Sequence, residues 1–161
     1  MTSLEVLDLS HNQLTQFSDG FLGPLPNLTE LDLSHNLLLT IPVEDIAESW
    51  NLTRVDLRGN RLDRFYDEFM PLIQSKNGTD ILFEGNPILC DCRLRPLQFW
   101  LNSKIDSGIW NNVLCTAPPN LAGQSVASVT DDSLGCNRED DFSIKPLYSI
   151  VTDIVFREVS A

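Results

Sequence analysis

The 161-residue chain has no run of about 18 apolar residues, so no stretch of it spans a bilayer as a helix. Basic residues are scarce: 11 Lys and Arg stand against 23 Asp and Glu, for a net charge of −12. That imbalance argues against nucleic acid or an anionic membrane as partner, because both demand a basic surface. Histidine is limited to His11 and His35. No Ser/His/Asp set, no H-E-x-x-H and no phosphate-binding glycine loop occurs, so an enzyme is not expected and no cofactor is implied. A basic-then-apolar leader is also missing, since patterned sequence begins directly after Met1. What the chain does have is 42% hydrophobic residues, enough for a packed core. It also has 4 cysteines, an even number that fits two disulfides and an oxidising compartment. Disulfides without a leader conflict unless the chain is a piece of a longer one, and that is the expectation.

The hydrophobic residues are periodic. "LEVLDLSHNQL" (Leu4 to Leu14), "LTELDLSHNLL" (Leu28 to Leu38) and "LTRVDLRGNRL" (Leu52 to Leu62) superpose, with Asn12, Asn36 and Asn60 spaced by 24 residues. A fourth, degraded copy, "TDILFEGNPIL", places Asn86 26 residues further on. Between these motifs Phe17, Ile41 and Phe65 share one position, and Leu22, Ile46 and Met70 another. The pattern L-x-x-L-x-L-x-x-N-x-L resembles that of the leucine-rich repeat proteins. The resemblance implies an α/β-type repeat solenoid with short parallel strands on its concave face. Within each copy the alternating apolar residues, such as Leu7 and Leu9, point inward, and the residues between them point out. The asparagines are expected to satisfy backbone groups in the turn leaving each strand. No polar capping segment precedes Leu4, so the chain reads as the C-terminal part of a longer array.

Cys90 and Cys92 lie one residue apart in "NPILCDCRLRPLQFW". Their Cα atoms in extended chain would be roughly 6.5 Å apart, at the outer limit for a disulfide. Their partners are therefore Cys115 and Cys136, in a crossed or a nested arrangement. Zinc is disfavoured, because the chain has no C-x2-C pair and its histidines lie far upstream. "NPILCDC", a helix-like "RPLQFWL", "CTAPPNLAGQSVASV" and a final cysteine resemble the cysteine-rich C-terminal cap of extracellular leucine-rich repeat proteins. That resemblance implies Cys90–Cys115 and Cys92–Cys136, with Leu97, Phe99, Trp100 and Leu101 covering the last repeat. The organisation expected is repeats over 1–85, a cap over 86–136, and a linker with the possible start of a fibronectin type III or immunoglobulin-like module over 137–161. Acidic Glu139 to Asp141 would form the linker, and the alternation after Ser149 reads as a strand.

Outward strand positions supply the candidate binding face: Val6, Asp8, Ser10; Glu30, Asp32, Ser34; Arg54, Asp56, Arg58; Asp80, Leu82, Glu84. Asp8, Asp32 and Asp56 stack in one column about 4.8 Å apart, which is unfavourable unless something offsets the repulsion. The adjacent columns, Glu30–Arg54–Asp80 and Ser34–Arg58–Glu84, allow charges to pair across strands. Either the face is self-paired or it awaits a partner with a basic patch. Asn27, Asn51 and Asn77 open N-glycosylation sequons, each 9 residues before a repeat asparagine, although "N-L-T" is also ordinary repeat sequence. His11 and His35 share one repeat position, but two ligands without a third make a poor metal site. Together with the resemblance, these features imply an extracellular protein-binding module of a cell-surface recognition or adhesion receptor. The alternatives are a secreted or matrix structural protein and a Toll-like pattern-recognition ectodomain.

Overall fold

The computed structural model describes residues 3–63, 79–95, 97 and 112–136. Four three-residue strands, β1 (Val6–Asp8), β2 (Glu30–Asp32), β3 (Arg54–Asp56) and β4 (Asp80–Leu82), pair in parallel in that order. Their register aligns Leu7, Leu31, Val55 and Ile81 in one inward column. Leu31, Val55 and Ile81 are buried, whereas Leu7, which has a strand on one side only, is half-buried. The next inward residues, Leu33, Leu57 and Phe83, are also buried. The ladder runs past the strand ends: Leu9 N–H donates to Asp32 O (2.8 Å), Leu33 N–H to Asp56 O (2.8 Å) and Leu57 N–H to Leu82 O (2.9 Å). The strands are short because the chain must turn away at once to climb to the next coil.

That turn depends on the asparagine column. The Asn60 side chain donates from Nδ2 to Leu57 O (3.0 Å) in its own coil and to Leu33 O (2.9 Å) in the coil before. Its Oδ1 accepts from Leu38 N–H (3.1 Å), also one coil back. Asn36 does the same with Leu33 O, Leu9 O and Leu14 N–H, and Asn86 with Phe83 O, Leu57 O and Leu62 N–H. All three are buried, and an unpaired amide there would cost about 1–3 kcal/mol. Asn12 is exposed and bonds only Leu9 O and Ser10 O of its own coil. Just before each asparagine the backbone is left-handed: His11 and His35 have φ of 54°, Gly59 63° and Gly85 74°.

On the outer side the coils are less regular. Helix α1 (Val43–Glu48) buries Val43 and Ile46 and carries Glu44 and Asp45 in its first turn, where acidic side chains suit the helix dipole. Leu22 is buried at the position Ile46 fills one coil later, and Phe17 and Ile41 are half-buried against the core. Phe65 and Met70, the third members of those two columns, lie outside the described residues.

The core runs unbroken from the repeats into the C-terminal segment, where Ile88, Cys90, Leu94, Leu97, Val113, Cys115, Leu121, Val126, Val129 and Leu134 are buried. Strand β5 (Ile88–Leu89) pairs in parallel with β6 (Cys115–Ala117), and Leu89 N–H donates to Asp63 O (2.7 Å) of the third repeat. Between them Asp91 caps a 3-10 turn over Cys92–Leu94 by accepting from Arg93 N–H (2.9 Å). Cys90 is bonded to Cys115 and Cys92 to Cys136, with Cα separations of 5.7 and 5.2 Å. Leu97 sits in the core beneath them; Phe99, Trp100 and Leu101, like residues 137–161, lie outside the described residues.

Candidate binding face

The outward positions of β1–β4 align as three columns. Val6, Glu30, Arg54 and Asp80 form the first, and Asp8, Asp32, Asp56 and Leu82 the second. Ser10, Ser34, Arg58 and Glu84 follow two residues beyond the second. The aspartate column is first of all a turn device. In Asp8, Asp32 and Asp56 the Oδ1 atom accepts the backbone N–H two residues on, from Ser10 (2.8 Å), Ser34 (2.9 Å) and Arg58 (3.1 Å). Each bond ends a strand by offering its backbone a local partner. The Ser10 hydroxyl and N–H hold the Asp8 carboxyl below the ordinary carboxylate range.

Repulsion along that column is offset at Asp56. Arg58 Nε donates to both its oxygens, at 2.9 and 3.0 Å, and Nη2 adds a further bond. Arg54 Nη2 stands 3.9 Å from the same carboxylate and Arg54 Nε 3.2 Å from Glu30 Oε1. Glu84 Oε2 closes the set 3.9 Å from Arg58 Nε. Burial works to raise the Asp56 pKa, but the hydrogen bonds and charge of Arg58 outweigh it and hold the carboxyl below its usual range. The reciprocal bond to Asp56 raises the Arg58 guanidinium.

Two of the twelve expected face residues are not surface groups. Asp56 is only 2% exposed because the two arginine side chains lie against it, and Ser34 is buried because its short side chain sits between coils on either side. Val6, Asp8, Arg58 and Asp80 are exposed, and Ser10, Glu30, Asp32, Arg54, Leu82 and Glu84 half-buried. Self-pairing and availability therefore coexist: the arginine side chains keep 40% and 44% of their surface while bridging the acidic groups.

The sequons split in a similar way. Asn27 and Asn51 are exposed, whereas Asn77 lies outside the described residues. Their threonines have structural work, with each hydroxyl donating to a carbonyl one coil back: Thr29 to Glu5 O (3.0 Å), Thr53 to Thr29 O (3.1 Å) and Thr79 to Leu52 O (2.8 Å). The imidazoles of His11 and His35 stack with centroids 4.4 Å apart and planes 14° apart. Such parallel rings aim their lone pairs side by side instead of converging on one ion. Among the described residues no group of three or more His, Cys, Asp or Glu is placed to hold a metal, and no helix is long and apolar enough to cross a membrane. The left-handed histidines, the aspartate turn and the threonine ladder escaped the sequence reading. The D-x-S spacing in the first two copies and the His or Gly before each asparagine were the available signals.

Coiled strands, an asparagine ladder and a doubly crosslinked end define a leucine-rich repeat solenoid with its cap. The leucine-rich repeat family profile matches residues 2–62, and the leucine-rich repeat C-terminal domain profile matches residues 112–137. Residues 2–62 thus match the leucine-rich repeat and residues 112–137 its C-terminal domain. The chain is 41% identical over 50 residues to mouse platelet glycoprotein Ib beta chain, covering 31% of this chain and 24% of that protein. It is 32% identical over 92 residues to mouse SLIT and NTRK-like protein 5, covering 55% and 9%. The chain thus spans a quarter or less of these relatives. Two solved structures share the fold. One is human 5T4 (trophoblast glycoprotein), with a TM-score of 0.73 at 21% identity over 84% of this chain and 49% of that one. The other is the octameric complex of Latrophilin 3, Unc5D and FLRT2, whose leucine-rich repeat component is FLRT2, with a TM-score of 0.71 at 22% identity over 84% and 40%.

Proposed function

We propose that this chain is an extracellular protein-binding module of a cell-surface recognition or adhesion receptor, and that it binds its partner through the concave face. The observation that carries the reading is the half-exposed network of Glu30, Arg54, Arg58 and Glu84 around buried Asp56. Its geometry is fixed before any partner arrives, so little side-chain freedom is lost on binding. Two disulfides require an oxidising compartment and support an extracellular setting. Glycans on Asn27, Asn51 and Asn77 belong to this proposal, as does the division into repeats over 1–85, a cap over 86–136 and a following segment over 137–161. The platelet relative is by name a glycoprotein. The remaining acidic surface, with Asp8 and Asp80 exposed beside the network, favours a partner that presents basic groups.

The test is a screen of the secreted chain against cell-surface ectodomains, followed by the Glu30→Lys/Asp80→Lys variant on the partner found. Both side chains reach solvent, so the fold should survive the change. Affinity should drop about ten-fold or more, and the wild-type complex should weaken as salt is raised. Unchanged affinity together with a flat salt response would move the interface off the concave face.

A further inference from the structure

Among the described residues Trp50, at 91%, is far more exposed than the other exposed large apolar residues, of which Leu39 at 63% comes next. It follows α1 and immediately precedes Asn51, the exposed asparagine of the sequon Asn51-Leu52-Thr53. In the coil before, the position of Trp50 is held by Pro26 and that of Asn51 by Asn27. The Asn51 side chain lies against that coil, its Nδ2 donating to Pro26 O (2.8 Å). A side-chain amide that carries a sugar on Nδ2 keeps one N–H, so attachment and this bond are compatible. The bond fixes where the sugar leaves the surface, one residue from a fully presented indole.

We infer that Trp50 is a platform for the carbohydrate linked to Asn51, with the indole face covered by the first N-acetylglucosamine of that glycan. The inference rests on the reading that Asn51 is glycosylated. An aromatic ring has an electron-rich face, and the axial C–H groups on one side of a pyranose are weakly positive and apolar, so the two surfaces complement each other. The contact removes apolar area of both from water. Among the sequons whose asparagines are described, Asn51 alone follows an aromatic residue; Asn27 follows Pro26. The sugar thus shields an otherwise naked indole on the flank of the solenoid and is itself held close to the coil.

The experiment is oxidation of tryptophan by N-bromosuccinimide on folded protein secreted from mammalian cells, with modification at Trp50 read by peptide mass. Three forms are compared: intact, trimmed by an endoglycosidase to a single N-acetylglucosamine, and fully deglycosylated. Trp50 should react about five-fold more slowly in the first two forms than in the third, the protection that a contact of roughly 1 kcal/mol sustains. Equal rates in all three forms, with Asn51 shown by mass to carry sugar, would overturn the platform alone. An unmodified Asn51 peptide would overturn the glycan reading and the platform with it.

Discussion

Gly59 shows how tightly one atom is specified in this stack. A Cβ placed there would lie 2.7 Å from Nδ1 of His35, and the backbone φ of +63° already disfavours a side chain. His11 and His35 accept the same left-handed backbone at the equivalent position, and their rings stack in return. Gly59→Ala should therefore lower stability by about 2 kcal/mol in urea unfolding, of which about 1 kcal/mol is backbone strain. In a His35→Ala background only the strain should remain, so the two changes should not add. Asp56 makes a different claim. Its carboxyl is depressed in the folded state, so its stabilising effect is complete above the unfolded value near pH 3.9 and is lost as pH falls through the lower folded one. Stability measured downward from pH 5 should fall, and Arg58→Gln should shrink that acid-linked part while also weakening the protein at neutral pH. Repeat spacing made the face columns legible beforehand, but not the burial of Asp56, which depends on how Arg54 and Arg58 fold over it, or of Ser34, which depends on the coils on either side.

Among the elements, three-residue strands are too short to persist alone, so the coil is held by what joins it to its neighbours. The inward leucines and the asparagines follow from periodicity and were readable as such, because one residue type at one spacing answers one geometric need. The threonine hydroxyls at Thr29, Thr53 and Thr79 were readable only as sequons, since their second role requires knowing which carbonyl lies one coil back. Asn60→Ala would strand Leu38 N–H and take one of two amide donors from each of the carbonyls of Leu33 and Leu57, which keep Asn36 and Asn86. The expected loss is about 3 kcal/mol, with amide exchange accelerating in β2 and β3 together. Acceleration confined to β3 would show that the asparagine serves its own coil only. The cap was harder to read. Its buried Val113, Leu121, Val126, Val129 and Leu134 sit in a turn-rich stretch with no period, so composition gave no hint of which residues face inward.

For the molecule as a whole, the cap matters because the repeat core and the cap core are one body. The two crosslinks within the cap separate two effects. Loop length favours Cys92–Cys136, spanning 44 residues, over Cys90–Cys115, spanning 25, by roughly 0.5 kcal/mol. Burial favours the opposite order, because Cys90 and Cys115 are buried and Cys92 and Cys136 half-buried. Replacing Cys90 and Cys115 by alanine should cost more than replacing Cys92 and Cys136, since cavity formation at a fully buried site outweighs half a kilocalorie; thermal melts of the two double variants decide the order. The asparagine ladder also sets the molecule's unit of length. Each Asn36 or Asn60 amide looks backward to the same two backbone groups, 22 and 27 residues earlier, and every coil presents those groups in the same places. A coil is thus an interchangeable unit of length. Excising 24 residues from the middle of the array rejoins surfaces that already match, whereas excising 23 turns every inward leucine on one side of the cut toward water. Such a molecule can lengthen or shorten in evolution by whole coils, altering the span of its concave face while its closing cap stays the same.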